Sequence, residues 1–187
     1  MKKITLMLII TGLFFFKSGI VMAEKQSGNS AELSLSAKID KKEQDSLNFK
    51  RKELAIKSVL SRYNSPMVGS ERSFIEACSQ YNLDCYLLPS IAGLESTFGR
   101  FIWPNSYNPF GWGRGYLMFA GWSESIGAVA KGLRDNYVNK GAENVYTIGR
   151  IYSESPTWAS RVSWFITEFE KEEKKLSLLS TEIPVKL

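Results

Sequence analysis

Apolar side chains recur at helical spacing along most of this chain. Leu54, Val59, Leu60 and Tyr63 open the series, and Asn64-Ser65-Pro66 closes it with turn chemistry. Phe74, Ile75, Cys78 and Tyr81 predict a second helix that begins after Gly69-Ser70. Asp84 is placed to cap a third, which runs to about Phe98 and has Gly99 as its C-terminal cap. Pro89 falls near its first turn, where a missing N–H costs little. Ile126, Val129, Ala130, Leu133 and Tyr137 predict a fourth helix ending at Lys140-Gly141, and a short one follows over 144–151. The last takes Ser155 as cap and Pro156 as first residue, and turns Trp158, Val162, Phe165, Ile166 and Phe169 inward. The charged run over 168–175 predicts a solvated helix end, and the tail from 176 to 187 a loose one.

Two stretches break this rhythm. Residues 24–52 are polar and lysine-rich with few apolar anchors, which predicts a tether, partly helical, ahead of a domain over 53–175. Residues 100–122 hold Trp103, Tyr107, Phe110, Trp112, Tyr116, Phe119 and Trp122 among four glycines. That pattern predicts a turn-rich lobe with a short hairpin around Gly113-Arg114-Gly115. The fold class is therefore mainly α, with a small irregular or hairpin lobe.

The first 23 residues have a different character: Lys2 and Lys3, an apolar run over 4–16, then Val21-Met22-Ala23. This is the layout of a secretory signal peptide. Lys17 interrupts the apolar run, and an uncleaved membrane anchor is the other reading. Either predicts export, to the periplasm, the cell envelope or the outside. In an oxidising compartment Cys78 and Cys85, on either side of the corner Tyr81-Asn82-Leu83-Asp84, are able to pair; two separate buried thiols are the alternative.

Composition narrows the chemistry. There is no histidine, which removes Ser-His-Asp triads, Cys-His pairs and histidine-ligated zinc. The net charge of +5 falls to about +2 without Lys2, Lys3 and Lys17, too little for a nucleic-acid footprint. No pattern calls for a metal, a nucleotide or another cofactor, and a monomer is expected.

One acid stands apart. Leu88, Ile91, Glu95 and Phe98 share a helix face, so Glu95 interrupts an apolar stripe in the last turn. Desolvation and the negative end of the helix both favour a protonated carboxyl there, the form a glycosidase acid needs. A boundary glutamate turned to solvent is the plainer reading.

Leu94-Glu95-Ser96-Thr97-Phe98-Gly99, followed by Asn105-Ser106-Tyr107-Asn108-Pro109-Phe110-Gly111, resembles the signature of the lysozyme-like cell-wall hydrolases. It is most like the bacterial glucosaminidase family, of mannosyl-glycoprotein endo-β-N-acetylglucosaminidase type, where a helix delivers Glu-Ser-x-x-Gly and an Asn-x-Phe-Gly turn follows. Tyr152-Ser153-Glu154-Ser155-Pro156-Thr157-Trp158-Ala159 is similar to that family's segment before its final helix, and Tyr81-Asn82-Leu83-Asp84 resembles the lead into the catalytic helix of lytic transglycosylases. The likeness spans about residues 52–172. It implies a lysozyme-like helical domain that cuts β-1,4 bonds of peptidoglycan glycan strands, with Glu95 as general acid. It implies Tyr152 as a second active-site residue, or a buried structural tyrosine. Asn108, Phe110 and Trp112 would line the glycan groove, and Trp158 groove or core.

No Asp or Glu lies between Ser96 and Ser123, where a second catalytic carboxylate is usual. Glu124 is placed to favour a helix N-terminus, and Glu154 is the better candidate partner. A lone acid suits two routes: attack by the substrate's own N-acetyl group followed by hydrolysis, or attack by the sugar's 6-hydroxyl, as in lytic transglycosylases. A non-catalytic glycan-binding module is the reading of another class.

Overall fold

A computed structural model describes residues 24–181; the expectations for the first 23 residues and for 182–187 lie outside them. Six α-helices follow in order: α1 Glu24–Arg62, α2 Glu71–Tyr81, α3 Leu87–Ser96, α4 Trp122–Asn136, α5 Val145–Tyr152 and α6 Trp158–Thr181. The fold is mainly α, and no strand occurs among the described residues. By contacts the chain divides into Met1–Glu43 and Gln44–Leu187. In the first unit the described part is the opening of α1. The second unit holds all the remaining helices.

The second unit is assembled in pairs. α2 packs on α4, and α6 packs on both α3 and α5. Most of the stripes that predict the helices are buried: Val59 and Leu60 from α1, Phe74 and Ile75 from α2, Leu88 and Ile91 from α3, Ile126, Val129 and Leu133 from α4; in α1, however, Leu54 is exposed and Ala55 and Ile56 are buried beside it in the chain. Val162 and Phe169 of α6 join them, with Phe165 and Ile166 half-buried alongside. Phe98 is the meeting point. Its ring lies 4.8 Å from Tyr63, 5.3 Å from Phe165 and 6.1 Å from Phe169.

Local chemistry sets several helix ends. Asn144 caps α5 with a reciprocal box: its side chain accepts from Tyr146 and Thr147 N–H, and Thr147 Oγ1 accepts from Asn144 N–H. Asp84 is not the cap of α3, which starts after Tyr86 without a side-chain cap; it instead accepts from Tyr86 N–H in the turn before the helix, at 2.7 Å. α2 ends at Asn82 in the left-handed conformation, and the Cys78–Cys85 disulfide ties that corner, with 4.8 Å between the two Cα atoms.

Five expectations change. Residues 24–52 are helical throughout, as part of α1, rather than partly so. Helix α6 begins at Trp158, after a turn through Ser155 and Pro156, and continues past Leu176 to Thr181. The charged run over 168–175 is not simply solvated. Glu172 is buried and pairs with Arg62 at 2.8 Å while accepting from Ser58 Oγ; Glu173 meets Lys52 at 2.9 Å and the Tyr86 hydroxyl at 2.7 Å. Opposite charges on α1 and α6 explain why acids sit on an inward face. The hairpin is replaced by a tight turn over Trp112–Gly115 with left-handed backbone at Gly113 and Arg114. The cap of α3 comes two residues early: Thr97, Phe98 and Gly99 are all left-handed, with φ of 51°, 57° and 79°. Burial of Phe98 and a 2.7 Å bond from Ser65 Oγ to its carbonyl hold the chain there.

Candidate active site

Glu95 is the penultimate residue of α3. Its helix-mates Leu88 and Ile91 go into the core, and Phe98 beyond the helix end does too, but Glu95 itself is exposed. The water exclusion inferred from the apolar stripe is therefore not supplied by the protein. The left-handed hook after Ser96 sends the chain away from the helix axis and leaves the acid on an open edge.

That edge is the wall of a cleft of about 270 Å³ lined by Glu95, Ser96, Phe101, Ile102, Trp103, Asn108, Gly111, Arg114, Gly115 and Tyr116. Glu95 is the single carboxylate among them. Its Oε1 accepts from the indole N–H of Trp158 at 2.7 Å. Its Oε2 points toward Gly111, where a side chain would begin only 3.8 Å away; glycine leaves the approach to that oxygen open. One oxygen is thus anchored and the other free to face a ligand.

The anchor has a foundation. Trp158 is buried, rests on Gly149 and stacks on Tyr152 with ring centres 4.8 Å apart. The Tyr152 hydroxyl donates to the Phe110 carbonyl at 2.9 Å and accepts from the Trp112 indole N–H at 3.1 Å. Removal from water pushes the Tyr152 phenol well above its usual range; the nearby Glu95 carboxylate pushes the same way, and the bond from Trp112 opposes them. Tyr152 is a neutral hydroxyl with its proton committed to the floor of the site. The Trp112 ring in turn lies across Gly132 of α4.

Asn108 organises the floor rather than facing the cleft with a free amide. It is buried, donates to the carbonyls of Trp112 at 2.7 Å and Leu117 at 3.3 Å, and accepts from Trp112 N–H. Phe110 is buried beneath. Ser96 joins this floor to the acid's helix: its hydroxyl donates to the Pro109 carbonyl and accepts from Gly99 N–H, both at 2.8 Å. The structure thus brings Glu95, Tyr152, Asn108, Phe110, Trp112 and Trp158 into one connected cluster. A second hollow, of about 480 Å³, lies along Phe110, Gly111, Trp112, Tyr137 and Tyr152, and shares Gly111 with the first.

No protein-family model matches this chain, and no curated protein matches it. The glucosaminidase likeness rests on the sequence motifs alone.

Neither other acid reaches the cleft lining. Glu124 accepts from Ala120 N–H in the first turn of α4, the role its position predicts. Glu154 lines a separate hollow with Tyr146, Arg150 and Pro156. Among the described residues no cluster of acids, histidines or cysteines is able to hold a metal. The cleft's outer residues were not singled out by motif. Phe101 is 71% exposed, Tyr116 65% and Trp103 56%, and Trp103 meets Tyr116 edge-on at 5.4 Å. The signal for them in the sequence is an aromatic run without helical spacing, set among glycines.

Proposed function

We propose that this chain is an exported glycosidase that cuts β-1,4 bonds in the glycan strands of bacterial peptidoglycan, with Glu95 as general acid. The observation that carries the reading is the Glu95 carboxylate itself. One oxygen is held by Trp158 at 2.7 Å and the other looks into a cleft whose exposed lip is aromatic. Aromatic faces stack on the apolar faces of sugar rings, and an acid fixed at one oxygen has a defined direction for its proton. A signal-like N-terminus and a disulfide fit export.

In the proposed reaction Glu95 gives its proton to the bridging oxygen as the C1–O bond breaks. Among the described residues no second carboxylate lines the cleft, so in this reading the substrate's own acetamido oxygen forms the bond to C1. Water then opens that ring and returns a proton to Glu95. Trp158 and Tyr152 act as positioning residues, through the indole N–H and the ring beneath it. A lone acid supports the lytic transglycosylase route equally, with the 6-hydroxyl replacing both the acetamido oxygen and water. Mass spectrometry of the digest separates the two, because only the second leaves anhydro-muropeptides.

Glu95→Gln tests the reading. The side chain keeps its shape and loses the transferable proton, so clearing of a cell-wall suspension is expected to drop at least about a hundredfold. Equal clearing by the variant and the parent would remove Glu95 from the chemistry.

A further inference from the structure

Arg114 lines the same cleft as Glu95 and is exposed there. Among the described residues it has neither an ion pair nor a hydrogen bond from its side chain, although a carboxylate shares the cleft. Its backbone is unusual as well. Gly113, Arg114 and Gly115 are consecutively left-handed, at φ 60°, 59° and 83°. Two of the three are glycines, which adopt this conformation freely; the arginine costs roughly 1–2 kcal/mol there. The Asn108 amide fixes the loop on either side, through Trp112 and Leu117. A cation is thus held at a strained position beside the acid, next to Tyr116 and the Trp103 lip.

A neutral sugar gives an unpaired guanidinium little to do. A carboxylate matches its fork with two parallel hydrogen bonds. We propose that Arg114 binds a carboxylate carried by the glycan strand and so selects acidic strands over neutral ones. This rests on the reading of Glu95 as the acid of a glycan-cleaving enzyme. Peptidoglycan offers that carboxylate in two places: the free lactyl group of strands stripped of their stem peptides, and the acidic residues of the peptides themselves.

The test measures binding in the full chain carrying Glu95→Gln, which prevents turnover. Three probes are titrated by calorimetry: peptide-stripped glycan strands, strands with intact peptides, and a neutral chitooligosaccharide. The ratio of affinities, acidic over neutral, is expected to fall about tenfold when Arg114→Gln is added, and to be only partly kept with Arg114→Lys, which retains the charge and loses the fork. The same ratio is expected to shrink as salt rises from about 0.05 to about 0.5 M, since an exposed pair is screened. Preference for the stripped strands identifies the lactyl group, and preference for intact strands the peptide. A ratio that Arg114→Gln leaves in place overturns the proposal and leaves Glu95 untouched. An Arg114-dependent ratio in a protein whose parent cleaves no glycan overturns the Glu95 reading alone. Binding to none of the three probes overturns both.

Discussion

The contact between Gly132 and Trp112 makes a prediction whose sign depends on the geometry. Gly132 lies inside α4, where alanine is ordinarily better than glycine by about 1 kcal/mol. A methyl group there, however, would sit 2.0 Å from Cη2 and 2.6 Å from Cζ3 of Trp112. The ring cannot swing away freely, because its N–H is bonded to Tyr152 and its backbone is bracketed by Asn108. Overpacking of this kind costs about 1–3 kcal/mol, and a broken indole–phenol bond adds about 1. The net effect of Gly132→Ala is then a loss of about 1–3 kcal/mol. A chain of this size loses roughly 2–4 °C of Tm for each, so the Tm followed by circular dichroism should fall by roughly 2–12 °C. Displaced Trp112 should also shift the tryptophan emission to the red. A Tm that rises by a few degrees, with unchanged emission, would mean that helix propensity wins and that Trp112 does not rest on residue 132. The chain of support from α4 through Trp112 and Tyr152 to Trp158 and Glu95 would then be broken at its first link.

Other predictions address the remaining links. Trp158→Phe keeps a ring over Tyr152 and Gly149 but removes the N–H on Glu95 Oε1; cleavage is expected to slow about tenfold, read as reducing-end release, with a smaller change in KM than in kcat. A rate equal to the parent's would deny Trp158 a positioning role. Reduction of Cys78–Cys85, or Cys78→Ser with Cys85→Ser, opens a loop of short span and should cost about 2–3 kcal/mol in urea unfolding; an unchanged midpoint would place the disulfide outside the cooperative core. Alkaline stability gives a third check. Tyr86, pushed upward by burial and its bond to Glu173, and Tyr152, pushed upward by burial and Glu95, both ionise later in the folded chain than the unfolded value of about 10. Above that pH the unfolded chain binds fewer protons, so stability present below it declines as the pH rises. Absorbance near 295 nm should show these two tyrosines silent until the fold opens, and their early titration would contradict their burial.

Much of the fold is legible in the sequence where apolar spacing and capping agree. The stripe of α2 and the inward face of α6 are of this kind. The full extent of the helix over 24–52 is not, because a helix without an apolar face leaves no periodic trace. The inward acids Glu172 and Glu173 escape for a related reason: charge in a run looks solvated until its partners, Arg62, Lys52 and Tyr86, arrive from 87 to 121 residues away. In the site, the position of Glu95 at the end of α3 is readable and its exposure is not. The hook at Thr97, Phe98 and Gly99 decides that, and two of its three residues are ones that seldom turn left-handed. Asn108 reads as a ligand for an acetamido group, yet its amide is consumed by the loop that displays Arg114 and Tyr116.

Ser96 has a consequence for how such motifs are to be understood. Its hydroxyl fastens the end of the acid's helix to Pro109 and to the hook at Gly99. Within Glu-Ser-Thr-Phe-Gly, then, four letters are joinery, and on the proposed reading one is reagent. A descendant that exchanged Glu95 for a neutral residue would keep the joint, the cleft and the family look while abandoning the reaction, so the motif vouches for a shape and only its first letter for an activity.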